Sequence, residues 1–181
     1  MALTKVIGSG LGAIPAISGA NLTGFTDAQM PAGSVVQVVN VTDGDYASGT
    51  TLIPTTTIPQ NTEGDEYMTL AITPTSATNK LLITVTVNIG ASTTVLLCTA
   101  LFQDSTANAV GSAMMDIGQN DVPSAITYSH YMASGTTSAT TFKVRCGLTT
   151  SGTCTFNGGS GSGLYYGGVM SSSITIMEIA V

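Results

Sequence analysis

Residues 81–89 read LLITVTVNI. Leu81, Ile83, Val85, Val87 and Ile89 share one parity, and Leu82, Thr84, Thr86 and Asn88 share the other. Side chains of an extended chain alternate between two faces, so this period of two predicts a strand with one face in a core. The same reading extends in both directions. Before it, EYMTLAIT (66–73) puts Met68, Leu70 and Ile72 on one face, and TPTSATNK supplies the turn between them. After it, TVLLCTALFQ (94–103) is apolar on both faces, which predicts a strand covered from both sides. Farther out, SVVQVVNV (34–41), SAITYSHYMA (124–133), TTFKVRCGL (140–148) and SSITIMEIAV (172–181) continue the series between turn signals. TLIPTTTIP (51–59) carries Pro54 and Pro59 and reads as an edge segment, because proline cannot donate to a strand ladder.

Composition points the same way. Of 181 residues, 43 % are hydrophobic and only 8 % charged, against roughly a quarter charged in an average soluble domain. The 30 threonines and 18 serines take over the polar role, and β-branched threonine favours strands. No stretch shows a helical period, so the helical crossovers that parallel strands need are missing. The expectation is an all-β chain, an antiparallel two-sheet sandwich of jelly-roll type over residues 33–181. Residues 1–32 differ. They are rich in small residues, with Ile14, Ile17, Leu22 and Phe25 at irregular spacing, and cannot bury enough surface to fold alone. The apolar residues favour an extended attachment arm that orders against a partner over a disordered tail.

The net charge of −6, with Lys5, Lys80, Lys143 and Arg145 as the only cations, argues against a nucleic-acid partner or a membrane surface bound through basic residues. No apolar run approaches the roughly 18 residues that a membrane span requires. Glycine, serine and proline interrupt the apolar patch 11–20, so no secretory signal is expected, and the protein should stay in the cytoplasm of the cell that makes it or leave by another route.

No catalytic set emerges, and the expectation is a non-enzyme without cofactor or metal. His130 is the single histidine and reads as a packed sheet residue. The segments TDGDYASG (Asp43, Asp45) and TEGDEY (Glu63, Asp65, Glu66) lack the twelve-residue calcium-loop pattern and read as acidic turns. Cys98 reads as a small core residue. Cys146 and Cys154 flank GLTTSGT, so a hairpin centred near Thr150 would place them opposite each other, either disulfide-bonded or as two thiols. The missing secretion signal favours thiols.

The strands 94–103 and 172–181 carry apolar residues outward as well as inward, and a sister subunit is the economical cover. That reading places a subunit interface at Leu96, Leu101, Ile174, Ile176 and Met177. The glycine-rich segment FNGGSGSGLYYGG presents Tyr165 and Tyr166, whose flat amphipathic rings suit stacking on a sugar or a protein surface, or packing at the sandwich rim or between subunits.

Four stretches together resemble a known family: AGSVVQVVNV, LAITPTSATNKLLITVTVNI, ASGTTSATTFKVRCG and the terminal SSSITIMEI. They are similar to the C-terminal domains of tail fibre and appendage proteins of tailed bacteriophages and prophages, over about residues 31 to 180. The preceding ISGANLTGFTDAQMPAG looks like the linker found before such domains. The resemblance implies a homotrimeric virion structural protein, assembled in the host cytoplasm, that attaches through its N-terminal end. Its loops, around 103–123 and 157–168, would contact a host-surface glycan or protein. The chain lacks the long shaft of a long tail fibre, which points to a short appendage or to a capsid decoration (head fibre) protein attached to other virion proteins. A carbohydrate-binding or carbohydrate-active β-sandwich protein is the alternative of another class.

Overall fold

The computed structural model describes residues 30–117 and 119–181. Eight long strands form it: β1 (Val35–Asp43), β3 (Asp65–Ile72), β4 (Lys80–Ala91), β5 (Leu96–Gln103), β6 (Gly111–Asp116), β7 (Ser124–Ala133), β8 (Thr140–Leu148) and β12 (Ser172–Ile179). Short strands β2 (Ala47–Gly49), β9 (Cys154–Phe156), β10 (Gly158–Gly159) and β11 (Gly163–Leu164) fill the loops. One sheet runs β1-β12-β4-β7, with β9 and β2 continuing beside the end of β4, and the other runs β3-β8-β5-β6; all pairings are antiparallel. Numbered one to eight, the long strands lie in the orders 1-8-3-6 and 2-7-4-5. This alternation between two facing sheets makes the sandwich a jelly roll.

The even-spaced set Leu81, Ile83, Val85, Val87 and Ile89 is fully buried. It meets Leu97, Leu101, Phe142, Val144 and Leu148 from the facing sheet, with Ile174 and Ile176 beside it. Strand polarity gives the molecule two ends. Residue 30, the 73–79 turn, the 104–110 turn and Ala180 sit at one end, the base; Gly33 and Ala180 are joined there by backbone hydrogen bonding. The 92–95, 117–123 and 149–171 connections gather at the other end, the tip.

Three expectations change in the structure. First, residues 103–123 are not one loop: they hold the base turn, strand β6 and a tip loop. Second, Cys146 and Cys154 do not face each other across a hairpin, because the chain crosses from one sheet to the other between them. Cys154 pairs with Gly49 and Ala91, and all three cysteines are buried free thiols. Burial pushes the Cys146 thiol up to about 12. Third, the outward side of β5 needs no second subunit. The segment 50–64 forms no strand at 51–59 and instead straps over that side of the sheet.

Ile53, only 2 % exposed, anchors the strap; its N–H donates to Leu148 O at 2.9 Å. Arg145 holds the return limb through Glu63 O (2.8 Å) and Gly64 O (2.7 Å). A Cβ on Gly147 would lie 2.6 Å from Thr51 O and 3.1 Å from Ile53 Cγ1, so only glycine lets the strap come this close. Gly147→Ala is therefore expected to lift the strap at a cost of about 1–3 kcal/mol. Thiol labelling checks this: Cys98, which lies beneath the strap, should react faster in the variant while Cys146 and Cys154 stay slow.

Candidate functional site

The tip is built on close backbone contacts. Gly158 and Gly159 pair with Leu164 and Gly163 in a two-residue ladder. A Cβ on Gly158 would stand 2.0 Å from Gly163 O and 2.6 Å from a Tyr46 ring carbon, so the glycine run is a packing requirement, not a floppy spacer. Beyond this ladder the chain turns through Tyr166–Gly168 and presents its tyrosines. Tyr165 is half-buried and its hydroxyl donates to Asp121 O at 3.4 Å, which ties the 157–168 loop to the 117–123 loop. Tyr166 is 80 % exposed and sits in the left-handed region at φ +49°. Its ring centroid lies 6.3 Å from that of Tyr165, at an interplanar angle of 43°. Leu164 and Val169 in the same loop are also exposed. The tip thus offers one pinned and one free aromatic ring.

The acidic residues are engaged locally. Asp43 accepts the Asp45 N–H at 2.8 Å, Glu63 accepts the Gln60 N–H at 2.9 Å, and Asp65 accepts from the Thr51 hydroxyl at 2.8 Å. The first two close turns, and the third ties Thr51 of the strap to the start of β3. Among the described residues no group of three or more His, Cys, Asp or Glu side chains could hold a metal ion. His130 packs inward beside Gly111, as its strand parity requires.

A cleft of about 300 Å³ on the strapped sheet gathers Asn61, Glu66, Phe102, Asp104, Lys143 and Arg145. Lys143 and Arg145 both pair with Glu66, at 3.2 and 3.4 Å. Arg145 also holds the strap, Asp104 accepts from Thr140 and Thr141, and Asn61 donates to Ser105 O and Thr106 O. Most of the cleft's hydrogen-bonding capacity is already committed to the fold.

The residues expected at a subunit interface divide. Leu101, Ile174 and Ile176 have no exposure at all and point into the chain's own core. They share the parity of the inward residues, so a neighbour cannot reach them. Leu96 and Met177 are half-buried on outward faces. The arm residues Ile14, Ile17, Leu22 and Phe25 lie outside the described residues. Sequence reasoning missed the outward partners of Met177, namely Val38, Leu82 and Tyr131, which only strand register brings together.

No family model matches the chain, and no curated protein matches it in sequence. Among solved structures, the C-terminal domain of EclA, a sugar-binding protein, aligns at 16 % identity and a TM-score of 0.37, over 86 % of this chain and 94 % of that one. The VP2 subviral particle of infectious bursal disease virus aligns at 11 % identity and a TM-score of 0.36, over 80 % of this chain and 38 % of that one. Likenesses this weak carry no functional argument for the chain.

Proposed function

We propose that this chain is a non-enzymatic virion structural protein, a homo-oligomeric short tail fibre or appendage. In this reading residues 1–32 fix it to the particle, and the tip loop at 157–168 meets a host-surface glycan or protein. The carrying observation is the polarity of the sandwich. The chain enters at the base, where Gly33 joins Ala180, while the exposed Tyr166 stands at the opposite end. An appendage needs that arrangement, since attachment and recognition must not compete for one surface. The sequence resemblance supports the same reading.

Four measurements test it. Deleting residues 1–32 should abolish incorporation into particles while the remaining chain keeps its β-sheet circular dichroism. Tyr166→Ala should weaken adsorption to host cells by about tenfold, the scale of one lost aromatic contact of about 1–2 kcal/mol. Unchanged adsorption would remove the tip from recognition, and turnover of host polysaccharide by the purified chain would overturn the non-enzymatic assignment. Labelled protein at the tail tip fits the appendage; label spread over the capsid fits a decoration protein instead.

A further inference from the structure

The two sheets of the sandwich treat their outer faces differently. On the β3-β8-β5-β6 face the chain's own strap covers the outer side of β5, leaving Thr69 and Ala71 of β3 and Met114 of β6 exposed, whereas no strand of the β1-β12-β4-β7 face has such a cover among the described residues. Register places Val38, Met177, Leu82 and Tyr131 in one unbroken apolar row across all four strands. Val38 is 53 % and Tyr131 57 % exposed. The next rows are Asn40, Thr175, Thr84 and Ser129, then Thr42, Ser173, Thr86 and Thr127.

Three properties identify what this face meets. Its polar atoms are already paired sideways: Thr84 with Ser129 at 3.1 Å, Thr86 with Thr127 at 3.0 Å, and Asn40 donating to Thr175 at 2.8 Å. Removing water from these rows therefore costs less than it would for unpaired hydroxyls, and fewer groups are left to bind a sugar. The face also carries no carboxylate, and Lys80 at its margin is its single charge. In a chain of net charge −6, two copies repel wherever acids meet. The described acids lie elsewhere: Asp43, Asp45 and Asp121 at the tip, Asp104 at the base, Glu63, Asp65, Glu66 and Asp116 around the strapped sheet, and Glu178 in the interior. Finally, four strands about 4.8 Å apart, each about eight residues long, give roughly 500 Å² in projection. Two such faces together reach about 1,000 Å², the lower bound of a specific interface.

We infer that this face is where a second copy of the same chain docks, with the Val38–Met177–Leu82–Tyr131 row as the dry centre of the contact. The inference rests on the homo-oligomer in the proposed function and names its surface.

The test uses the full chain. Light scattering at micromolar concentration should give an oligomer for the parent and a monomer for Leu82→Glu and for Tyr131→Glu. Val169→Glu, an equally apolar exposed site at the tip, should stay oligomeric. Should either strand variant lose its β-sheet spectrum, Val38→Lys on the edge strand serves in its place. In the parent, peroxide should oxidise Met114, which is 61 % exposed, well before Met177, and the difference should shrink in the monomeric variants. A parent oligomer that survives these substitutions overturns the interface alone. A parent that is monomeric throughout overturns both the interface and the proposed oligomer.

Discussion

Replacing Glu178 with alanine should destabilise the folded chain by about 3–5 kcal/mol, because a buried carboxylate that many donors share is lost. For a sandwich of this size that corresponds to a fall in melting temperature of roughly 10 °C, read by calorimetry or circular dichroism. Glu178 has no exposure, lies on the inward parity of β12 with Ile174 and Ile176, and forms no ion pair among the described residues. It is held by the turn between β3 and β4. Thr75 donates its N–H at 2.9 Å and its hydroxyl at 2.8 Å, Ser76 its N–H at 3.2 Å, and Asn79 its side-chain amide at 2.8 Å, with Gln37 of β1 closing the ring. Burial by itself would push this carboxyl up; the hydrogen bonds from Gln37, Asn79 and Thr75 outweigh it and hold the group below the usual 4.5.

The pH dependence follows from that direction. A group whose folded pKa is depressed contributes stability that is complete above its unfolded pKa and is lost as pH falls through the folded value. The stability gap between the parent and Glu178→Gln should therefore be constant above about pH 5 and narrow as pH drops below about 4.5. Urea midpoints of the two proteins at several pH values check this. A gap independent of pH would show that the carboxylate charge plays no part. The same clamp gives a physical reason why the TPTSATNK turn and the terminal SSITIMEI strand belong together: one supplies the donors and the other the acceptor.

This clamp also marks where the sequence was readable and where it was not. Period-two patterning exposed the core strands directly, since Leu81 to Ile89 and Phe142 to Leu148 alternate without interruption. The jelly-roll type followed from the strand count and the lack of helices. In β12, by contrast, Glu178 reads as the polar exception on an apolar strand, although it lies inside, because its partners come from a turn about a hundred positions earlier. The strap was illegible for a related reason. Pro54 and Pro59 mark an edge or an irregular segment, but nothing local says that this segment lies over Cys98, Ala100 and Phe102. Two-sided burial of β5 is legible in its sequence; that the cover comes from the same chain is not. Of the tip, Tyr165 and Tyr166 stand out as residues, yet the pinning of Tyr165 beside a free Tyr166 depends on Asp121, which is distant in sequence. The uncovered face depends on cross-strand register, which no single strand displays.

The tip has its own keystone, and its loss is the second large effect. Asn157 is fully buried at φ +56°, a conformation that asparagine tolerates better than most residues. Its amide donates to Asp43 O at 2.8 Å and Asp45 O at 3.1 Å, and its carbonyl accepts from the Ser172 hydroxyl at 2.7 Å. Its own N–H reaches Asn88 O, so one residue joins β1, β4 and β12 where the tip loops begin. Asn157→Ala removes three side-chain hydrogen bonds and adds the left-handed backbone penalty, together about 3–4 kcal/mol. Asn157→Gly relieves the backbone but not the bonds and should cost about 1 kcal/mol less. Asn157→Asp keeps the acceptor for Ser172 yet sets a carboxylate oxygen against two carbonyls in a buried site, so it should be at least as damaging as alanine. Urea unfolding of the three variants should rank glycine mildest. If aspartate instead matched the parent, the amide would not be donating to the 43–45 turn, and the tip would have to be held in place by its glycine contacts alone.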